Sequence, residues 1–166
     1  GIDGDDARYV TGRTWETAMD YLVSKYSLPV SRDVALKTAL HEYRKSIEES
    51  LSVVPGSVAA IHALSASFPL ALVSGSQRSD IQWALTKLGV LSCFRFVLGA
   101  EDYPRSKPAP DGYLRALELL KTPASATLIF EDSEAGIASA LAAGATGVAV
   151  TCTNHFNQDV SPAHHI

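Results

Sequence analysis

Downstream of Val54 the chain alternates short apolar runs with amphipathic stretches, and few architectures accept that order. The runs are Pro69 to Ser74, Phe94 to Leu98, Thr127 to Glu131 and Gly147 to Val150. Their length and apolar character make each a buried strand. Helical spacing fills the intervals. Pro55 and Gly56 open a helix bearing Val58, Ile61 and Leu64, and a helix from Ser76 carries Ile81, Ala84, Leu85 and Leu88 and stops at Gly89. Pro110 starts a third with Tyr113, Leu114, Leu117 and Leu120, and Ile137, Ala140 and Leu141 mark a fourth that Gly144 closes. Strands and helices in alternation predict an α/β fold with a parallel sheet covered on both faces.

Residues 1–53 follow a different rule. Trp15, Ala18, Met19, Leu22 and Tyr26 recur at spacings of three and four, on a helix that Thr14 can cap. A second helix, capped by Ser31, lines up Leu36, Leu40, Tyr43, Ile47 and Leu51, with His41, Glu42, Arg44, Lys45, Glu48 and Glu49 mostly on its wet side. The division predicted is therefore a small helical lobe over 1–53 and an α/β core over 54–166. With 46% hydrophobic and 19% charged residues among 166, one ordinary domain with a small added lobe is the expected size class.

Charge and composition narrow the function classes. Fourteen Lys and Arg against eighteen Asp and Glu leave a net charge of −4, without any basic run to neutralise a phosphate backbone, so nucleic acid is excluded as a partner. The longest apolar stretches fall short of the roughly 20 residues that span a bilayer. The acidic start resembles no signal peptide, and two cysteines, Cys93 and Cys152, are too few for a disulfide framework or a structural zinc site. A cytoplasmic protein without membrane or nucleic-acid partners is the expectation.

In an open α/β sheet ligands bind beyond the carboxyl ends of the strands. Ser74-Gly75-Ser76 leaves the first strand with a hydroxyl and several backbone N–H groups, which suits an anion and equally suits a helix cap and turn. Ser106-Lys107-Pro108-Ala109-Pro110-Asp111 follows the second strand; its prolines stiffen the backbone and can aim the lysine, which otherwise is a solvated side chain before a helix. The third strand ends in Glu131-Asp132-Ser133. Adjacent carboxylates there repel unless a cation or donor meets them, so they are candidate magnesium ligands, with an aspartate cap on the next helix as the plainer alternative. A hydroxyl, a lysine and an acidic pair leaving three strands on one side of a sheet compose a site for a phosphate and its metal.

Leu72-Val-Ser-Gly-Ser76, Ser106-Lys-Pro-Ala-Pro-Asp111 and Ile129-Phe-Glu-Asp-Ser-Glu-Ala-Gly136 resemble the second, third and fourth motifs of the haloacid dehalogenase superfamily, in its β-phosphoglucomutase and phosphoglycolate phosphatase branch. Order and spacing agree, with 33 residues from Ser74 to Lys107 and 25 from Lys107 to Asp132. The helical lobe resembles the cap of that branch, and Thr11-Gly12-Arg13-Thr14 its substrate-facing loop. The resemblance implies a Rossmann-like parallel sheet with a small helical cap, and a Mg²⁺-dependent phosphatase of small phosphorylated metabolites acting through an aspartyl-phosphate. It implies that Ser74, Gly75 and Ser76 bind the phosphoryl group, that Lys107 neutralises it together with the nucleophile, and that Asp132, assisted by Glu131, holds Mg²⁺. Arg13 and Thr14 would meet the substrate from the cap.

The first motif of the superfamily, an apolar strand running into D-x-D-G-T, has no counterpart. Asp3-Gly4-Asp5 lacks both the preceding strand and the following Gly-Thr, so it is rejected as the nucleophile. The resemblance puts the missing strand between the runs 69–74 and 127–131. Without it, unpaired edge groups would each cost about 1–3 kcal/mol when buried, against a total domain stability of ~5–15 kcal/mol. The expectation is a chain that starts inside the cap, holds three of four motifs and is inactive alone. The alternatives are a phosphomutase of the β-phosphoglucomutase type and a non-catalytic binding protein that has lost its nucleophile.

Overall fold

The computed structural model describes residues 3–154 and 156–166. Three helices come first: α1 (Gly4–Val10), α2 (Trp15–Tyr26) and α3 (Arg32–Glu49). Thr14 and Ser31 cap α2 and α3 as their sequence positions predict, their hydroxyls accepting from Thr17 N and Val34 N. Helix α1 has no apolar period to announce it. It is held by a reciprocal cap in which Asp3 accepts from Asp6 N at 2.9 Å and Asp6 accepts from Asp3 N at 3.0 Å. The Asp3-Gly4-Asp5 string is thus the entry to a helix.

Ala18, Met19 and Leu22 of α2 form the buried centre of this lobe, against Val10, Tyr26, Leu36 and Ala39. Asp6, fully buried, fastens α1 to α2: its carboxylate accepts from Tyr21 Oη at 2.9 Å, Lys25 Nζ at 2.5 Å and Tyr26 Oη. Burial works against its charge, but the bonds from Lys25 and Tyr26 outweigh it and hold the carboxyl well below its usual range. Helix α3 departs from expectation, because its stripe of Leu36, Leu40, Tyr43 and Ile47 contains no fully buried residue. Among the described residues α2 is the main element packed along it, and one neighbour cannot enclose a five-turn helix.

The core alternates as predicted, through α4 (Ser57–Ser65), β1 (Leu70–Val73), α5 (Arg78–Lys87), β2 (Phe94–Leu98), α6 (Asp111–Leu120), β3 (Leu128–Glu131), α7 (Glu134–Ala142) and β4 (Thr146–Ala149). Every strand pairing is parallel, but the strands form two ladders, β1 with β2 and β3 with β4. Among the described residues β1 and β3 share no ladder bond. The two ladders are therefore parted between β1 and β3, the place where the resemblance puts a missing strand. Its coverage is uneven too: Ile129 and Glu131 of β3 are buried, whereas Leu128 and Phe130 on the opposite face are 59% and 56% exposed. Residues 164–165 run beside β4, with Ala149 N donating to His165 O at 2.8 Å.

Apolar packing keeps each ladder with its own helices. Ile81, Leu85, Val90 and Val97 form one cluster under β1 and β2; Tyr113, Leu117, Ile129, Ala140 and Ala143 form another under β3. Both cysteines are free. Among the described residues no helix is long and apolar enough to cross a membrane.

Candidate active site

All three strand-end motifs open onto one cavity of about 560 Å³, lined by Ser74, Gly75, Ser76, Lys107, Glu131 and Asp132, with Gly12, Arg13 and Trp15 from the lobe and Leu72, Val73 and Phe130 from the two separated strands. The order of the elements explains the convergence. Parallel strands put their carboxyl ends at the same edge of a sheet, so residues far apart in sequence leave it side by side.

The Ser74-Gly75-Ser76 loop is fixed by its neighbours. Ser74 N donates to Leu98 O at 3.0 Å, Ala100 N to Ser76 O at 2.9 Å, and Tyr103 Oη to Ser74 O at 2.8 Å. Ser74 Oγ accepts from Ser76 N at 3.2 Å. A β-carbon at Gly75 would stand 2.5 Å from Arg13 O, so only glycine lets the lobe's loop lie this close. Burial, with the charges of Glu131 and Glu101, pushes the Tyr103 phenol up to about 12, which keeps it a neutral donor at physiological pH.

Lys107 precedes a cis-proline and is buried. Its ammonium pairs with Glu131 Oε1, reaches Val73 O at 3.5 Å and sits 5.1 Å above the Tyr113 ring. Tyr113 Oη also donates to Glu131 Oε1, and Ser133 Oγ donates to Glu131 Oε2 at 3.2 Å. Burial pushes the Glu131 carboxyl up, but the Lys107 ammonium and the Tyr113 and Ser133 hydroxyls overcome it and hold the group below its ordinary value. Tyr113 responds in the opposite sense, raised well above the usual phenol range by burial and by the charge of Glu131.

Gly136, at the end of the motif that follows β3, serves this cradle directly. A β-carbon there would meet Glu131 Oε2 at 2.0 Å and Cδ at 2.1 Å, so the carboxylate occupies the space a side chain would need. Glu131 is consequently the anchor of Lys107, with both oxygens engaged. Asp132 differs: it is half-buried, it lines the cavity, and no hydrogen bond or ion pair engages its carboxylate among the described residues. The sequence reading treats the two carboxylates as a pair, whereas the geometry gives them separate neighbours and leaves only Asp132 open to a cation.

The two cap residues also separate. Arg13 lines the cavity, but its guanidinium lies 4.1 Å over the Tyr9 ring and donates to Tyr9 O. Thr14 is buried and its hydroxyl accepts from Thr17 N at 3.3 Å, so it is occupied as the cap of α2. Tyr113, Tyr103 and Ser133 escaped the sequence reading. Tyr113 belongs to the apolar stripe of its helix by spacing, although a phenol on such a stripe needs a partner for its hydroxyl, and that need is the available signal.

Residues 2–150 match the family described as haloacid dehalogenase-like hydrolase. Validoxylamine A 7'-phosphate phosphatase of Streptomyces hygroscopicus subsp. limoneus is 31% identical over 157 residues, covering 93% of this chain and 73% of that protein. Hexitol phosphatase A of Escherichia coli is 34% identical over 121 residues, covering 71% of this chain and 55% of that protein. The crystal structure of β-phosphoglucomutase from Clostridium difficile superposes with a TM-score of 0.74 at 22% identity, over 89% of this chain and 69% of that one, a likeness of fold.

Proposed function

The chain belongs to the haloacid dehalogenase-like hydrolase family, and from that membership we propose that its parent protein is a magnesium-dependent phosphatase of small phosphate monoesters. One observation carries the reading: the anion-binding loop at Ser74, the buried ammonium of Lys107 and the open carboxylate of Asp132 border the same cavity. Ser74 and the N–H group of Gly75 hold the phosphoryl oxygens, and the N–H of Ser76, which donates to Ser74 Oγ, orients that hydroxyl. Lys107, kept in place by Glu131 and Tyr113, supplies a fixed positive charge where negative charge accumulates.

Asp132 suits a hard cation that binds through one or two carboxylates and completes its shell with water and phosphate oxygens. When bound, Mg²⁺ would polarise the phosphoryl group and offset its charge. The nucleophile is assigned to an aspartate on a further strand of the parent, seated between β1 and β3, which share no ladder among the described residues. Without that aspartate this chain alone is expected to be inactive. The relatives named for hexitol and validoxylamine phosphates make phosphorylated polyols the first substrates to try.

Hydrolysis of an aryl phosphate by the parent protein tests the assignment. Asp132→Asn should sharply weaken the Mg²⁺-dependent rate, and Lys107→Ala should lower kcat by about 10²-fold or more, the scale of one preorganised electrostatic contact. Unchanged metal dependence in the first variant, or normal turnover in the second, would remove that residue from the site. Accumulation of inorganic phosphate from a sugar phosphate, without an isomeric product, separates hydrolysis from a mutase reaction.

A further inference from the structure

The segment after β4 carries a buried polar side chain that meets the start of α7. Gln158 is 5% exposed, and its Oε1 accepts from Glu134 N, the first residue of that helix, at 3.0 Å across 24 residues of sequence. The turn that presents it is tied down at several points. Asn154 Oδ1 accepts from Gln158 N and Asn154 Nδ2 donates to Gln158 O, both at 2.9 Å, and Arg8 of α1 donates to Asn157 O at 3.0 Å. Asn157 takes the left-handed conformation, φ 49°, which asparagine tolerates better than most residues. Val160, two residues on, is buried with Ile137 of α7 and Ala149 of β4.

That construction serves a bond the helix itself can do without. Water can satisfy an N–H in the first turn of a helix, and Ser133, the N-cap of α7, already accepts from Gly136 N at 3.0 Å. Burying an amide costs free energy unless it is hydrogen-bonded. A buried glutamine that reaches back to Glu134 N therefore points to a need for position beyond capping. Asp132 lies between two such anchors. On one side Glu131 O accepts from Val150 N at 2.7 Å, and the Glu131 carboxylate accepts from Asp132 N at 3.3 Å. On the other, Ser133 and Gln158 hold the start of α7. With no partner for its own carboxylate among the described residues, Asp132 is aimed by its main chain alone.

We propose that Gln158 is a positioning residue for the Asp132 carboxylate: by fixing Glu134 N it holds the turn 132–134 so that Asp132 faces the strand-end cavity, ready for a divalent cation. Gln158 borders a separate cavity, with Glu134, Ala135 and Arg8, and not the one that Asp132 lines, so it acts through the main chain. The inference rests on the phosphatase reading for the cation and adds to it a residue outside the three strand-end motifs.

The test uses the parent protein and Mn²⁺ alone, bound ion being read from the loss of the free ion's electron paramagnetic resonance signal. Gln158→Met keeps the length and removes the acceptor, and should weaken Mn²⁺ binding about tenfold, the lower end for loss of a group that supports a metal ligand. Gln158→Glu keeps an acceptor oxygen at the same reach and should restore most of the affinity. Urea midpoints without metal establish that the variants fold; if Gln158→Met does not, Gln158→Asn, which withdraws the acceptor by one methylene, takes its place. Asp132→Asn, measured alongside, tells two failures apart. Loss of affinity in Asp132→Asn with normal affinity in Gln158→Met overturns the positioning role and leaves the phosphatase reading intact, whereas normal affinity in both overturns the two together. A loss confined to Gln158→Met overturns the proposal, because the effect would bypass Asp132. Equal weakening in Gln158→Met and Gln158→Glu does so too, by assigning the side chain to packing and not to its acceptor.

Discussion

Lys107 and Glu131 are each about nine-tenths buried, and neither would be stable there alone. Together, with Tyr113 donating to the carboxylate oxygen that meets Lys107 and Ser133 donating to the other, they form a charge pair whose position is set by packing. The tolerance of that cradle can be measured at Gly136. Gly136→Ala forces a methyl group into the Glu131 carboxylate, and overpacking of this kind should lower stability by about 1–3 kcal/mol in urea denaturation. Gly4→Ala is the control, since nothing lies within 4 Å of its added carbon. Equal stability of the two variants would show that Glu131 does not occupy the position described.

Helices α1 and α2 are joined by a polar element, the buried carboxylate of Asp6 with Lys25, Tyr21 and Tyr26. Its pH dependence has a definite sign. The Asp6 carboxyl is held below its usual value in the folded chain, so its contribution is whole above the ordinary aspartate pKa of about 4 and declines as the pH falls below it. Asp6→Asn should therefore destabilise the chain at neutral pH and make its stability less sensitive to acid between pH 5 and pH 2. Urea midpoints for both proteins across that range check the sign. Parallel pH profiles would exclude Asp6 as the acid-sensitive group.

For the molecule as a whole, the split between the two ladders is the feature with the largest energetic consequence. Strand β3 buries one face in the cluster of Tyr113, Leu117 and Ala140, and leaves Leu128 and Phe130 exposed on the other. Ile129→Ala should cost about 2–5 kcal/mol, as for other buried large-to-small changes, while Phe130→Ala in this chain should stay within about 0.5 kcal/mol, as at an exposed position. If the two substitutions cost the same, Phe130 is covered in solution. In a protein with a further strand between β1 and β3, the cost at Phe130 should rise toward that at Ile129.

Element order was legible because its signals are local. Apolar periodicity, Thr14 and Ser31 as caps, and the glycines after α5 and α7 act within a few residues, so β2 and the starts of α2 and α3 fall where the pattern puts them. Helix α1 lacks an apolar period and depends on a polar cap, which is why periodicity passed over it. The three strand-end motifs were also legible, since residue type and spacing are properties of the chain itself. What each side chain meets was not. The same string supplied Glu131 and Asp132, but only folding brought Lys107, 24 residues earlier, and Tyr113, 18 residues earlier, to one carboxylate and left the other open. Likewise the spacing puts Arg44 on the wet side of α3, and its contact with Asp80, 36 residues away, exists only because the lobe and α5 meet in space. Local conformation follows from neighbours along the chain; the partner of a charge follows from which strand ends and helix faces the tertiary packing brings within hydrogen-bonding distance.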